Sequence, residues 1–182
     1  MNKKMKTSFS AIIIAVLLIS CDKDNGDNLI KSNESSIIAE FPFDDDSELT
    51  DWQFAYSDNA QMIIDKNDKK IGKGSLKIYN QCTSLVREKG INVTPGKKYK
   101  ISFFAKSQDF LENEDRCCYA YNYALVVKQG NNDEWYSIWI DNDVWYEKII
   151  YFSSDNTGLP IQLRILMGQK AAWIDDLKIE EL

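Results

Sequence analysis

A short aromatic segment, Trp135–Ile140, has the residue types and the spacing to form a flat binding surface. In its sequence, WYSIWI, Ile138 and Ile140 occupy one set of alternate positions, and the two tryptophans, Trp135 and Trp139, occupy the other set. Side chains of a β-strand point alternately to its two faces, so isoleucines in the core would leave both indole rings on the outer face. Flat apolar rings of this kind can pack against the C–H face of a cyclic polar ligand such as a pyranose.

Hydrogen-bonding residues with the same alternation occur elsewhere in the chain. Arg164 alternates with Leu163 and Ile165, and Asn122 lies between two tyrosines. A guanidinium and an amide beside aromatic rings would supply directional hydrogen bonds to ligand hydroxyls. We predict that five side chains share one concave sheet face: Phe104, Asn122, Trp135, Trp139 and Arg164.

Two alternatives remain open for this surface. A shift of one residue would reverse the faces and place Trp135 or Trp139 in the core, with Tyr136 outside. If the tyrosines of the segment 119–123 point outward, they would form the site in place of Asn122. The remaining tryptophans are expected in the core or at strand ends: Trp52, Trp145 and Trp173.

The segment Ile91–Ser107 is the clearest strand signal in the chain. Ile91–Val93 is predicted to be a short strand, and Thr94–Lys97, which contains Pro and Gly, predicts a turn after it. After it, bulky residues alternate with mostly polar ones over a period of two, which is typical of a strand with one buried face. The residues predicted to be buried are Tyr99, Ile101, Phe103 and Ala105. Phe104 breaks the pattern, since it is an aromatic residue on the open face.

Turn signals recur roughly every 8–12 residues from Ile37 to Leu182. No segment has the period of an amphipathic helix. Eight to ten short antiparallel strands with this spacing predict an all-β domain, a β-sandwich of the jelly-roll type. The expected domain covers residues 37–182, about the length of one domain. Asp44–Asp51 is predicted to be an acidic loop within it.

The first 36 residues have the character of a targeting segment and a tether. Three lysines precede the apolar run Ala11–Ile19, which is too short to span a bilayer. Leu18–Cys21, LISC, resembles the lipobox of bacterial lipoproteins, which implies a signal peptide at 1–20 and a lipid on Cys21. An ordinary signal peptide with an incidental cysteine is the alternative. Residues 21–36 are polar and predict a flexible tether, so we expect an outer-membrane lipoprotein that faces the periplasm or the cell surface.

Composition excludes several classes of function. The net charge of −6 would become −9 after loss of residues 1–20, so nucleic acid is an unfavourable partner. The chain has no histidine, and therefore lacks the commonest general base and zinc ligand. Pairs of carboxylates are the remaining candidate catalytic groups, as in glycoside hydrolysis. Because they fall in no catalytic motif, we expect that the protein has no enzymatic activity. In an exported protein, Cys82 could form a disulfide with Cys117 or Cys118.

Four motifs occur in an order and spacing that resembles a known family. They are Gly72–Ile78 (GKGSLKI), Thr94–Tyr99 (TPGKKY), Phe103–Lys106 (FFAK) and Trp173–Leu177 (WIDDL). Together they resemble carbohydrate-binding modules of the family 4/9 type, which are jelly rolls of the galactose-binding-like group. The resemblance covers about residues 37–182, and it implies binding of a polysaccharide or oligosaccharide. The same fold also serves as a structural spacer.

The resemblance also implies a structural calcium ion at one edge of the sandwich. The matching positions are Asp44, the carbonyls around Lys73, and Asp175. Calcium prefers six to eight oxygen ligands of these kinds. Asp44 stands where the family more often has the longer glutamate, and the alternative is that these acids are surface charges on loops.

The sequence therefore predicts a monomeric, lipid-anchored module that binds carbohydrate without catalysis. A structural or adhesive surface domain that binds a protein partner is the first alternative. The second is an accessory domain of a glycan hydrolase that has lost both its enzyme and its ligand.

Overall fold

Eleven β-strands and one short 3-10 helix form the part of the chain that the computed structural model describes, within the unit Asn33–Leu182. The described residues are 35–55, 59–79, 84–108, 124–130, 135–140, 142–166 and 171–182. The strands are β1 (Ser36–Phe41), β2 (Trp52–Phe54), β3 (Gln61–Asp65), β4 (Ser75–Tyr79), β5 (Ser84–Arg87), β6 (Lys98–Ser107), β7 (Ala124–Gln129), β8 (Trp135–Trp139), β9 (Tyr146–Ser153), β10 (Ile161–Leu166) and β11 (Ala171–Glu181). The 3-10 helix is Asp46–Asp51.

The strands form two antiparallel sheets. The six-stranded sheet has the order β3-β4-β11-β6-β9, and β1 also pairs with β11. The long strand β11 accommodates both neighbours on one edge, because β4 pairs with its first half and β1 with its second half. The five-stranded sheet has the order β2-β5-β10-β7-β8. The predicted all-β sandwich is confirmed.

Strand β6 has the predicted alternation. Tyr99, Ile101, Phe103 and Ala105 are all buried between the sheets. The Lys97 amide donates to the Thr94 carbonyl at 3.3 Å and closes the turn, in which Gly96 has a φ of 71°. Tyr99 stacks on Phe152 of the neighbouring strand, with 5.1 Å between ring centroids. The strand therefore connects the turn to the centre of the hydrophobic core.

The core lies between the inner faces of the two sheets. The six-stranded sheet contributes residues such as Leu76, Ile78 and Ile174, and the five-stranded sheet contributes Leu125 and Leu163. Three aromatic residues of this core, Phe41, Phe43 and Trp52, pack on one another with centroid distances of 6.2 to 6.3 Å. Buried aromatic and aliphatic surface on this scale is the main stabilising contribution to such a sandwich.

Two local predictions were wrong. Residues predicted as an acidic loop form the 3-10 helix, because Asp45 accepts from the Ser47 amide while the Glu48 carboxylate accepts from amides of residues 43–45. These reciprocal bonds form a capping box. The predicted strand Ile91–Val93 is reduced to an isolated bridge between Ile91 and Ile161.

Several predicted features lie outside the described residues. These are the signal peptide 1–20, the lipidation site Cys21, the tether up to residue 34, Asn122 and the cysteines Cys82, Cys117 and Cys118. Ser36, predicted to end the tether, already belongs to β1. Among the described residues, no helix has the length and apolar character that a membrane span needs.

Candidate functional site

The outer face of the five-stranded sheet carries a row of aligned side chains. Arg164 of β10 pairs with Val86 of β5 on one side and with Val126 of β7 on the other. Val126 in turn pairs with Ser137 of β8. Residues that are directly opposite in an antiparallel pair point to the same face, so these four form one line across the sheet. Their sequence neighbours Leu125, Leu163 and Ile165 are buried in the core, which identifies the row as outward-facing.

Trp139 lies on the same outer face. Its side chain is 39% exposed, whereas Ile140 is fully buried and Ile138 packs against the core. Tyr136 also packs inward and contacts Phe152, with 5.8 Å between ring centroids. The alternation predicted for this segment therefore holds at Trp139, and the alternative in which Tyr136 lies outside is wrong. Trp135 is the first residue of β8, where its backbone pairs with Lys128; its side chain is outside the described part.

A hydrogen bond holds Arg164 in place. Its Nε donates to the Gln162 side-chain oxygen at 3.0 Å, and both residues are half-buried on the outer face of β10. Val126, directly opposite Arg164 in this row, is 2% exposed, so the position next to Arg164 is apolar and covered. The plane of the guanidinium is oriented by the neighbouring Gln162 amide.

Phe104 does not belong to this face, and the predicted grouping of all five side chains on one sheet is wrong. Phe104 is on β6 of the six-stranded sheet, opposite Asp175 and Glu147. The Lys70 ammonium lies 5.6 Å from its ring centroid. Alternation correctly identified an outward position, but it does not determine which sheet a strand joins.

The outer face of the six-stranded sheet contains an aromatic and ionic network that the sequence analysis missed. Lys106 forms an ion pair with Asp68 and lies 4.6 Å from the Trp173 ring centroid and 5.5 Å from that of Trp145. The Trp145 Nε1 donates to Asp68 at 3.1 Å, and the Trp173 Nε1 donates to Asp65 at 3.1 Å. Trp173 is thus buried by lysines on the outer face, and it is absent from the core between the sheets. The network connects the segment after β3 to the sheet.

The three positions of the predicted metal site come together around residues 70–74. Asp44 Oδ1 accepts from the Lys73 amide and, at 3.2 Å, from the Gly74 amide. Asp175 Oδ2 accepts from the amides of Lys70 at 2.7 Å and Ile71 at 2.9 Å. The other oxygen, Asp175 Oδ1, is buried without a hydrogen-bond partner.

The electrostatic state of Asp175 follows from this environment. Burial raises the pKa of its carboxyl above the ordinary value, against the opposing effect of the amide donors. A buried carboxylate oxygen without a donor requires a proton or a cation to be stable. The donor set therefore fits a hard cation, although no group of three or more His, Cys, Asp or Glu side chains that could hold a metal occurs among the described residues. A cation here would depend on backbone carbonyls in addition to the carboxylates.

The fold and the face together define the class: an antiparallel β-sandwich of the jelly-roll type with an aromatic and a guanidinium on one outer sheet face. No family model matches the sequence, and no curated protein matches it. The structure is similar to that of a Clostridium thermocellum xylanase 10B fragment with a family 22 carbohydrate-binding module, complexed with xylohexaose (TM-score 0.60, 16% identity, 80% of this chain). This chain spans only 28% of that xylanase fragment.

Two further similar structures are isolated modules. One is the first family 22 xylan-binding domain of Paenibacillus barcinonensis Xyn10C (TM-score 0.56, 13% identity, 81% of this chain and 95% of that one). The other is a family 16 carbohydrate-binding module (TM-score 0.53, 10% identity, 65% of this chain and 84% of that one). At these identities the similarity shows the fold, and the family 4/9 type expected from the motifs stays a prediction.

Proposed function

We propose that this protein binds carbohydrate non-covalently on the outer face of its five-stranded sheet. The observation that carries the proposal is the exposed Trp139 on the same face as Arg164 and Gln162, which are hydrogen-bonded to each other. An indole ring offers a flat surface for the C–H face of a pyranose, while guanidinium and amide groups bind its hydroxyls. The similarity of the fold to carbohydrate-binding modules supports this choice over other functions of the jelly roll.

The arrangement suits binding without chemistry on the ligand. On the described strands this face offers an indole ring, hydrogen-bond donors and apolar side chains. These groups hold a ligand through contacts that form and break reversibly. Trp139 and Arg164 are separated by two strand spacings across the sheet and by two residues along the strands, or roughly 12 Å in all. Because that separation exceeds the width of one sugar ring, we expect the ligand to be a chain of sugars.

Affinity gel electrophoresis on a panel of soluble polysaccharides tests the proposal. We expect the domain, residues 35–182, to be retarded by at least one polysaccharide and Trp139→Ala to lose that retardation. The control is Tyr151→Ala, which removes an exposed ring from the outer face of the other sheet. Failure of the wild type to bind any polysaccharide would overturn the proposal and favour a domain that binds a protein partner.

We further propose that a lipid on Cys21 anchors this module to the bacterial outer membrane. The support is the sequence alone, in which a charged start and a short apolar run end at LISC. Labelling with an alkyne fatty acid in a bacterial host should modify the wild type, and Cys21→Ser should abolish the label and release the protein from membranes. A wild type that stays unlabelled would contradict the anchor.

We also propose that calcium binds near Asp44, the Lys73 carbonyl and Asp175. The support is the buried Asp175 oxygen without a donor, which a divalent cation would neutralise. Calcium that binds the folded state should raise the melting temperature, and EDTA should lower it. Asp175→Asn should remove the response to calcium, while the exposed-site variant Glu88→Gln should keep it. An unchanged melting temperature in EDTA and in millimolar calcium would count against the ion.

A further inference from the structure

Two apolar side chains project into solvent from β9, an edge strand of the six-stranded sheet. Tyr151 is 63% exposed and Ile149 is 36% exposed, whereas Ile150 between them is buried in the core. The exposed residues are two apart on one strand, so both lie on the outer face of the sheet, with roughly 7 Å between their Cα atoms. They form an apolar centre on this face, and the charged side chains around them determine what it can contact.

The lysines next to this centre are already paired within the protein. Lys100, opposite Tyr151 on β6, forms an ion pair with Glu180 at 2.9 Å. Lys178, on the next strand, forms an ion pair with Glu40 at 3.4 Å. These contacts neutralise both ammonium groups, so neither lysine leaves an unbalanced charge in the middle of the face.

Two charged residues of opposite sign lie at the ends of the apolar centre. Glu147 is exposed on β9, two residues before Ile149. Lys98 is exposed on β6, directly opposite Ser153, which is two residues after Tyr151. Within the described ranges, neither Glu147 nor Lys98 forms an ion pair with another side chain. The face therefore has an acidic side chain at one end, an apolar centre and a basic side chain at the other end.

This order of side chains is complementary to itself. We consider a two-fold axis that lies in the plane of the face and crosses β9 halfway between Ile149 and Tyr151. It places β9 of a second copy antiparallel over β9 of the first. Ile149 then faces Tyr151 of the second copy, and Glu147 faces Ser153, next to Lys98 of that copy. Each favourable contact therefore occurs twice, once on either side of the axis.

We propose that two copies of this protein form a two-fold symmetric dimer through the outer face of the six-stranded sheet. Tyr151 and Ile149 form the centre of the interface, and Glu147 of each copy pairs with Lys98 of the other copy at its ends. Burial of the exposed ring supplies the apolar contribution, and the charges fix the register of the two copies. A second copy has the required reversed order of charges by identity, whereas a different protein would have to reproduce it.

The size of the face indicates a weak dimer. It extends over residues 98–104, roughly 20 Å along β6, and over the three strands β11, β6 and β9, roughly 15 Å across. This footprint places the interface near the lower limit for specific association, about 1,000 Å² in total. We expect a dissociation constant on the order of 10–100 μM. The monomer expected from the sequence would then be the main form at low concentration.

The proposed dimer leaves both glycan-binding faces accessible. Trp139 and Arg164 lie on the outer face of the five-stranded sheet, on the opposite side of the sandwich. The two glycan-binding faces of a dimer therefore point in opposite directions, and one dimer would hold two polysaccharide chains. This consequence rests on the proposed function, whereas the dimer itself does not.

Sedimentation equilibrium of residues 22–182, which lack the signal segment and Cys21, tests the dimer between about 5 μM and about 1 mM. We expect the average mass to rise from that of one chain toward that of two. Tyr151→Ala should weaken association at least about tenfold, because the ring is lost twice in each dimer. The position is exposed, so the variant should fold, and thermal unfolding checks this. Its glycan affinity should not change, which separates the dimer from the proposed function.

Reversal of charge tests the two-fold arrangement. Glu147→Lys and Lys98→Glu should each weaken the dimer by about tenfold, because each change brings two pairs of like charges together. The two changes combined restore opposite charges and should return the dissociation constant to within about threefold of the wild type. Glu88→Lys, the same change of charge at an exposed position beyond β5, should have no effect.

Three results would contradict the dimer. A wild type that stays monomeric at about 1 mM would overturn it and favour a different protein as the partner of this face. Association that neither Tyr151→Ala nor Glu147→Lys weakens would show that copies meet through another surface. Single charge reversals that weaken the dimer without recovery in the combined variant would overturn the two-fold register.

Discussion

Replacement of Trp139 by alanine should weaken glycan binding by roughly 70-fold, by the following reasoning. An indole side chain has on the order of 250 Å² of surface. Since Trp139 is 39% exposed, about 100 Å² is accessible to a ligand. If a sugar ring covers half of that area, about 50 Å² of indole and a similar area of sugar leave water, which is worth about 2.5 kcal/mol at 25 cal/mol per Å².

Isothermal titration calorimetry with an oligosaccharide of the polysaccharide that binds would measure this change. Trp139→Ala also removes the buried part of the ring, so thermal unfolding must show that the variant is folded at the temperature of titration. Trp139→Phe, which keeps an aromatic ring of smaller area, should lie between the wild type and alanine. Tyr151→Ala should bind like the wild type, although its ring is 63% exposed, because it lies on the other sheet. If Trp139→Ala bound within twofold of the wild type, the outer face of the five-stranded sheet would not be the site.

Three further changes test other parts of the structure. Phe103, which is 1% exposed, should cost about 3–5 kcal/mol of unfolding free energy when replaced by alanine, as measured by urea titration. Phe104→Ala should cost less and should leave glycan binding, measured by gel retardation, unchanged. Loss of binding in a folded Phe104→Ala variant would contradict the position of Phe104 on the other sheet. Asp68→Ala should make the segment 66–74 more susceptible to proteolysis, because Asp68 binds both Lys106 and Trp145. A cleavage rate equal to that of the wild type would show that these contacts do not protect the segment. Hydrogen bonds from Tyr99 and Thr94 lower the pKa of Glu181. The carboxylate therefore stabilises the folded protein above its unfolded pKa, and this contribution is lost as the pH falls through the folded pKa. Glu181→Gln should narrow the difference in unfolding free energy between pH 7 and pH 3, and an unchanged difference would refute this.

Local patterns in the sequence predicted the strands well. Tyr99, Ile101, Phe103 and Ala105 point to the core, as the alternation in this segment predicted. Alternation succeeds because a half-buried strand places every second side chain in the same environment. The capping box of the 3-10 helix also had a visible signal, since Asp45 and Glu48 are three residues apart. The error at that helix was a missed local pattern.

The assembly of the site could not be predicted in the same way. Phe104 and Trp139 have the same outward parity, but their strands join different sheets, and strand pairing between residues far apart in sequence leaves no periodic signal. The burial of Trp173 on an outer face could not be predicted for a related reason. Its burial comes from Lys77 and Lys106 on neighbouring strands, whose ammonium groups lie 4.8 and 4.6 Å from the ring centroid.

Tryptophan residues have different surroundings on the two outer faces, and that difference supports the choice of the five-stranded sheet as the binding site. On the six-stranded sheet, the indole N–H groups of Trp145 and Trp173 donate to aspartates and lysines cover their rings. These aromatics hold a segment of the chain itself against the sheet. Trp139 instead presents more than a third of its surface on a face whose strands contain no carboxylate. A ring that is 39% exposed offers surface to a ligand, whereas the Trp173 ring, 7% exposed and covered by two lysines, does not.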